Sequence, residues 1–569
     1  MGIMENSGTR GEWALEESSG IGIPYEETGC HGIEFLSAAG ESALGRTGYV
    51  FGGASPQRSA SESTGKISEF GHKRTPQSQE AHGHLSEKPT NSLRVVKFGG
   101  TSVGSADSIE KVVEIVRSAS REKDVVVVVS AMSGVTNKLV QAVAQAEAGE
   151  TLRVAAIFLE LRKQHEAAVS ALVSRETERM RIGASLDRIL LEGHDLCKSA
   201  IGAREMSLAS RDFVTGLGER LCTLIVAAAL AERGVCSAAI EATELIVTNE
   251  RHGAAEPFME LTRERCEQRL RPLLRQGIVP VVTGFIGATP GGAATTLGRG
   301  GSDYSATILG AALDAEDVVI WTDVDGVLTA DPRLVPGACT LAEISYSEAT
   351  ELAHFGAKVL HPKTLRPLID SDIPVWIRNT FAPASAGTKI TPAGPGSREG
   401  VIALTAMSEV STIIVSGPGM VSVKEVLKRT TMAAGRVQAE ILLTAESPSQ
   451  FSIRLVVPRA FTERTLEALR CEFAQDFATG MVNAITFDEA VAMVTVVGRY
   501  SGGASAIAGR TFEALGRDGV NVIAAAVGSS ERNISFVVAN QDMHAALTSI
   551  HREFQLDKVK AETVPAKTA

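Results

Sequence analysis

The sequence predicts an α/β protein: a sandwich with a mainly parallel sheet, followed by two smaller α+β units in tandem. Three observations point there. From Leu93 onward, short β-branched runs alternate with longer amphipathic stretches. The runs are continuous Val and Ile, as in strands covered on both faces. Beyond about residue 396 the chain repeats itself at an offset of 81 residues. At 569 residues it exceeds what one core normally supports, so several domains are expected.

Residues 1–91 are rich in Gly, Ser, Glu and His and lack sustained periodicity, which predicts a disordered extension. Their 12 Glu against 7 Lys plus Arg oppose a transit peptide, and no apolar signal core follows Met1. A translation start placed too early is the plainer expectation. Strands are predicted at Leu93–Lys97, Val125–Val129, Ile278–Thr283 and Val318–Trp321, and helices at Ser108–Ala119, Glu219–Arg233, Pro257–Arg275 and Tyr304–Leu313. In the repeat, Thr412–Gly417 overlays Met493–Gly498, Gly435 overlays Gly516, Ile441–Ala445 overlays Val522–Ala526, and Ile453–Val457 overlays Ile534–Val538. Each copy reads strand, helix, strand, strand, helix. So long a period means two domains rather than a solenoid, whose repeats run about 20–50 residues.

Composition excludes several functions. A formal charge of -11, with no block of Lys or Arg, argues against nucleic acid. The seven cysteines form no CxxC pair, which suits reduced thiols in the cytoplasm and gives no support to a metal site. The longest apolar runs, Val125–Val129 and Leu224–Leu230, fall short of the ~20 residues of a membrane helix.

Chemistry concentrates in glycine-rich and charged segments. Lys97-Phe98-Gly99-Gly100-Thr101-Ser102 follows a strand and precedes a helix, an arrangement that lets backbone amides approach an anion. Leu297-Gly298-Arg299-Gly300-Gly301-Ser302-Asp303 is a second such loop; its plainer use is a surface loop with Ser302 or Asp303 capping the helix. Trp321–Arg333 spaces three aspartates and an arginine, but Gly326 sits at the wrong offset for a calcium loop. Thr215–Arg220 opens a helix with Glu219, and Phe355–Pro362 carries Lys358.

Together and in this order, the KFGGTSV, SAMSGVTN, GLGER, GRGGSDYSA, WTDVDG with TADPR, FGAKVLHP and NTF segments resemble the aspartokinase family of the amino-acid kinase superfamily. The repeat resembles that family's tandem ACT modules of ferredoxin-like fold, most like the kinase half of the bifunctional aspartokinase-homoserine dehydrogenases. The resemblance covers nearly everything after Leu93 and implies, beyond the disordered extension at 1–91, a catalytic domain at 92–395 and ACT modules at 396–485 and 486–569. It implies transfer of the ATP γ-phosphate, with Mg2+ on the nucleotide, to the side-chain carboxylate of L-aspartate. Lys97, Asp303 and Lys358 would be catalytic. Lys97, Gly99, Gly100, Thr322, Asp323, Arg333 and Lys358 would hold ATP. Ser130, Thr136, Glu219, Arg299 and Ser302 would hold aspartate, Arg299 on its α-carboxylate and Glu219 on its α-ammonium. A carboxylate nucleophile is ionised at neutral pH, so no general base is required. Lysine or threonine, or both, would act as feedback ligands at the ACT modules of a homodimer or larger homo-oligomer. Leu328 stands where the family commonly has Tyr, and Cys222 where it has Ser. The alternatives are a kinase for another carboxylate, such as glutamate or acetylglutamate, and a catalytically silent amino-acid sensor.

Overall fold

A computed structural model of the chain describes residues 49–51, 92–357, 360–396, 399–418, 423–447, 452–500, 503–528 and 532–558. The disorder expected for 1–91 falls outside them, except at Tyr49–Phe51 (β1), which pairs antiparallel with Ser237–Ile240 (β4) at one sheet edge. The four strands read from the sequence are Leu93–Phe98 (β2), Asp124–Val129 (β3), Val279–Thr283 (β5) and Asp317–Thr322 (β8). With β1, β4, Glu343–Ser345 (β9), Val375–Asn379 (β10) and Thr388–Thr391 (β11) they form a nine-stranded sheet of order β1-β4-β5-β3-β2-β8-β10-β11-β9. Only the β1–β4 and β10–β11 pairs are antiparallel.

The valine run of β3 is continuous because both faces are covered. Val125, Val127 and Val129 enter one hydrophobic layer and Val126 and Val128 the other. The first layer packs helices Ala106–Glu122 (α1), Val135–Glu147 (α2), Thr151–Leu172 (α3), Glu176–Ala203 (α4), Leu208–Thr215 (α5) and Leu217–Glu232 (α6). The second packs Met259–Arg269 (α7), Arg271–Arg275 (α8), Gly301–Ala312 (α9), Tyr346–His354 (α10) and Pro362–Leu365 (α11). The single helix expected over Pro257–Arg275 is thus two, divided at Leu270, with Pro272 in the first turn of α8. One helical stretch among the described residues, Leu208–Glu232, is long and apolar enough to cross a bilayer; 83% of its most apolar window is buried inside the protein, as in a core helix.

The repeat forms a second sheet. Gly400–Ser416 (β12), helix Val423–Arg436 (α12), Leu443–Ser447 (β13), Ser452–Pro458 (β14) and helix Thr462–Glu472 (α13), extended by Ala474–Ala478 (α14), make one copy. Ala484–Arg499 (β15), helix Ala504–Arg517 (α15), Val522–Val527 (β16), Asn533–Ala539 (β17) and helix Met543–Glu553 (α16) make the other. Their first strands pair antiparallel at the centre of the order β13-β14-β12-β15-β17-β16.

Repetition reaches the side chains. Arg429 and Arg436 both pair with Glu472, and Arg429 lies 4.4 Å over the Phe473 ring. Their counterparts Arg510 and Arg517 both pair with Glu553, and Arg510 lies 4.4 Å over Phe554. In the first copy Arg436-Val437-Gln438-Ala439-Glu440 replaces the Gly519-Val520-Asn521 type of turn of the second, at a backbone cost: Gln438 adopts φ +56° where the second copy has Gly519 at +73°. A residue with a Cβ is disfavoured there by ~1–2 kcal/mol. Gln438→Gly should therefore stabilise the chain, by about 0.5–1 kcal/mol after the entropy of the added glycine is subtracted, read as a higher urea midpoint.

Candidate active site

In a parallel sheet, ligands are held beyond the carboxyl ends of the strands, where connections diverge to either side of the first strand. Here that strand is β2, flanked by β3 and β8. Three segments emerge together at this edge: Gly99–Ser102, Ser130–Gly134 and Thr322–Asp325. A cleft of about 420 Å³ opens among the first two, the start of α6 and the Gly298–Asp303 loop. A hollow of similar volume at the opposite edge is lined by Arg117, Lys123 and Arg233. There Lys123 is paired with Glu316 at 2.7 Å and Arg233 with Glu110 at 2.7 Å, so its cations are largely neutralised.

Alternation along β2 puts the Lys97 side chain on the same face as Leu93 and Val95, the face covered by α9. It is buried there and forms an ion pair with Asp303 in the first turn of α9. Gly300, not Ser302 or Asp303, occupies the cap position of that helix, at φ +70°. A Cβ on Gly300 would stand 2.8 Å from the His361 Cβ, so both the dihedral and the space demand glycine. Burial, with Arg299 adding to it, lowers the His361 pKa.

Glu219 lies in the first turn of α6 and is almost wholly buried. Its Oε1 accepts the Ala131 N–H at 3.1 Å, while Oε2 has no hydrogen-bond partner among the described residues. Burial pushes its carboxyl up to about 8, against the opposing pull of the Ala131 amide and the Lys97 charge. Cys222, one turn along α6, is fully buried; burial raises its thiol pKa, and it does not line the cleft.

The cleft brings together Lys97, Gly100, Ser130, Thr136, Glu219, Arg299, Ser302 and Asp303. Gly99 is not among them. Its amide continues the sheet ladder to the Trp321 carbonyl at 3.1 Å, which corrects the expectation that both glycines offer free donors. The helix expected at Ser108–Ala119 begins two residues earlier, at Ala106, capped by the Ser105 side chain, so the glycine pair stands ahead of the helix start rather than at it. Thr322, Asp323 and Arg333 also lie off the cleft lining. Thr322 closes β8 beside Asn379 of β10, and its hydroxyl bonds Asp323 at 3.1 Å. Arg333 is exposed and paired with Asp331. Leu328 is half-buried, bridged to Thr340. Lys358 lies outside the described residues. Asp212, which the sequence reading passed over, is a buried carboxylate behind the cleft accepting hydrogen bonds from Gly253 and Thr296.

The amino acid kinase family profile matches residues 92–379, and an ACT domain profile matches residues 494–554. Aspartokinase 2 of Arabidopsis thaliana is 30% identical over 479 residues, 81% of this chain and 84% of that protein. The chain belongs to the aspartokinase family. The bifunctional aspartokinase/homoserine dehydrogenase of Daucus carota is 32% identical over 470 residues, 81% of this chain and 50% of that protein. The chain thus spans about half the length of the bifunctional relatives it matches. E. coli aspartokinase III, solved with aspartate and ADP, superposes with TM-score 0.68 at 30% identity over 82% of this chain and 100% of that one. The same enzyme with lysine and aspartate gives TM-score 0.67, covering 81% and 99%. The chain has the family's architecture of a mixed, mostly parallel sheet followed by an antiparallel ACT-type sheet.

Proposed function

We propose that this chain is an aspartate kinase, moving the γ-phosphoryl group of ATP onto the side-chain carboxylate of L-aspartate to give 4-phospho-L-aspartate and ADP. The observation that carries the proposal is one cleft holding the Lys97–Asp303 pair beside the buried Glu219 carboxyl and Arg299. Solved E. coli relatives that superpose on this chain hold aspartate with ADP or with lysine.

The aspartate carboxylate attacks already ionised, so catalysis is alignment plus neutralisation of phosphoryl charge. Lys97 and Lys358 would supply the charge, with Gly100 at the phosphates and Thr322, Asp323 and Arg333 at the rest of the nucleotide. Arg299 would clamp the α-carboxylate in a charge-assisted pair, Glu219 would receive the α-ammonium, and Ser130, Thr136 and Ser302 would complete the pocket. Mg2+ would come bound to the nucleotide and would neutralise phosphate charge, with Asp303 the cleft carboxylate beside Lys97 that would stand near it.

The domain limits remain those proposed from the sequence, with residues 92–395 catalytic and 396–485 and 486–569 as the two regulatory modules. A feedback amino acid, lysine or threonine, binds these modules in a homodimer or larger assembly. The described cysteines are free thiols, in keeping with a cytoplasmic setting.

The test is an ATP-dependent assay with aspartate, glutamate or acetylglutamate, trapping the acyl phosphate with hydroxylamine. The expected hydroxamate forms with aspartate alone and falls when lysine or threonine is added. Insensitivity to lysine, threonine and methionine would remove the regulatory part. Effector binding without ADP release would point to a silent sensor instead.

A further inference from the structure

Glu219 and Arg299 stand on separate walls of the cleft, one on α6 and the other in the loop between α9 and β7 (Ala294–Thr296), the partner of β6 (Ile286–Ala288) in a two-stranded sheet. A ligand gripped at both ends senses the distance between those walls. Behind the cleft one side chain links the segments that lead into both walls. Asp212 lies on α5, in the helical stretch that continues into α6, seven residues ahead of Glu219.

Its carboxylate accepts the Thr296 N–H at 3.0 Å and the Thr296 hydroxyl at 2.6 Å. It also accepts the Gly253 N–H at 3.0 Å and faces His252 Nδ1 at 2.9 Å. Thr296 ends β7 and leads straight into Leu297-Gly298-Arg299. Gly253 reaches the same loop from the other side: its carbonyl oxygen lies 2.9 Å from where a Cβ on Gly298 would stand, and Gly298 has φ +79°. The Leu297 amide is fixed in turn to the Phe285 carbonyl at 2.8 Å. Donors converge on Asp212 from two segments, so only an acceptor on both oxygens satisfies them; an amide would set its own N–H against one.

We infer that Asp212 is a positioning residue: it ties α5, which runs on into the helix bearing Glu219, to the strand end that leads into the Arg299 loop, and so sets the gap that an amino-acid substrate must span. The substrate part of this inference rests on the proposed aspartate kinase activity; the tie itself does not. Thr296→Val removes one donor while keeping the side-chain shape, Thr296→Ser restores it, and Asp212→Asn disturbs the whole set.

Two measurements on the full chain decide the matter. In steady-state kinetics, Thr296→Val should raise KM for aspartate about tenfold, with KM for ATP within about twofold of the parent and Thr296→Ser close to it. In hydrogen exchange without substrate, amides of residues 297–303 should exchange faster in Thr296→Val and Asp212→Asn than in the parent. A folded Thr296→Val with unchanged aspartate KM, a parallel rise in both KM values, or a Thr296→Ser as impaired as the valine variant would overturn the substrate ruler. Unchanged exchange in 297–303 would overturn the tie. A parent chain that leaves aspartate unphosphorylated defeats the proposed function instead, and the exchange result still judges Asp212.

Discussion

Lys97→Ala is expected to lower kcat by at least about a thousandfold, since electrostatic neutralisation is the largest part of phosphoryl-transfer catalysis. The side chain sits at the end of β2, fixed by strand alternation and by its ion pair with Asp303. Removing it deletes a cation and also leaves an unpaired carboxylate facing an incoming polyanion. The loss therefore belongs in kcat and in the affinity for ATP, with aspartate affinity less affected. Breaking a largely buried pair also costs stability, of order a few kcal/mol. Lys97→Met keeps the apolar stem and Lys97→Ala/Asp303→Asn removes the orphaned charge. The double variant should melt closer to the parent while remaining inactive. Near-normal ADP release from a folded Lys97→Ala would remove Lys97 from the mechanism.

What the sequence disclosed follows from where its contrasts are strong. The β2, β3, β5 and β8 runs were legible because both sheet faces are buried, leaving uninterrupted Val and Ile. Helices α3 and α4 were not, because apolar residues also stand on their solvent side: Leu152 is 85% exposed and Met180 68% exposed, which blurs the helical period. The membrane-length stretch Leu208–Glu232 escaped notice because Arg211, Asp212, Glu219 and Arg220 break its apolar run.

At the site, the residue types at Lys97, Glu219, Arg299 and Asp303 were visible as motifs, but their meeting in one cleft is a product of sheet order. The spent amide of Gly99 depends on the register between β2 and β8, which no local pattern encodes. Asp212 was invisible for the same reason: its partners lie 40 to 84 residues away in the chain.

The second large effect is expected at Glu219, where function and stability pull in opposite directions. Its carboxyl titrates near 4.5 in the unfolded chain and is raised to about 8 by burial in the folded one. Between those values the folded state holds a proton that the unfolded state has lost, so stability declines as pH rises from about 4.5 to about 8 and then levels off. Glu219→Gln cannot ionise, and its side-chain oxygen can still accept the Ala131 N–H. The variant should lack this decline and melt above the parent at pH 8. Its kcat/KM for aspartate should fall by about a hundredfold or more, because the neutral amide offers the α-ammonium no charge.

The parent's own pH profile carries the same sign. Binding an ammonium requires the ionised carboxylate, so aspartate binding below about pH 8 expels a proton and KM for aspartate falls as pH rises toward 8. Calorimetric titrations in two buffers of different ionisation enthalpy should register close to one proton released at pH 7 from the parent and none from Glu219→Gln. A KM for aspartate that stays flat between pH 6 and 8 in the parent would mean the ammonium is received elsewhere. The buried carboxyl would then be a packing feature of α6 rather than the group that distinguishes an amino acid from a simple dicarboxylate.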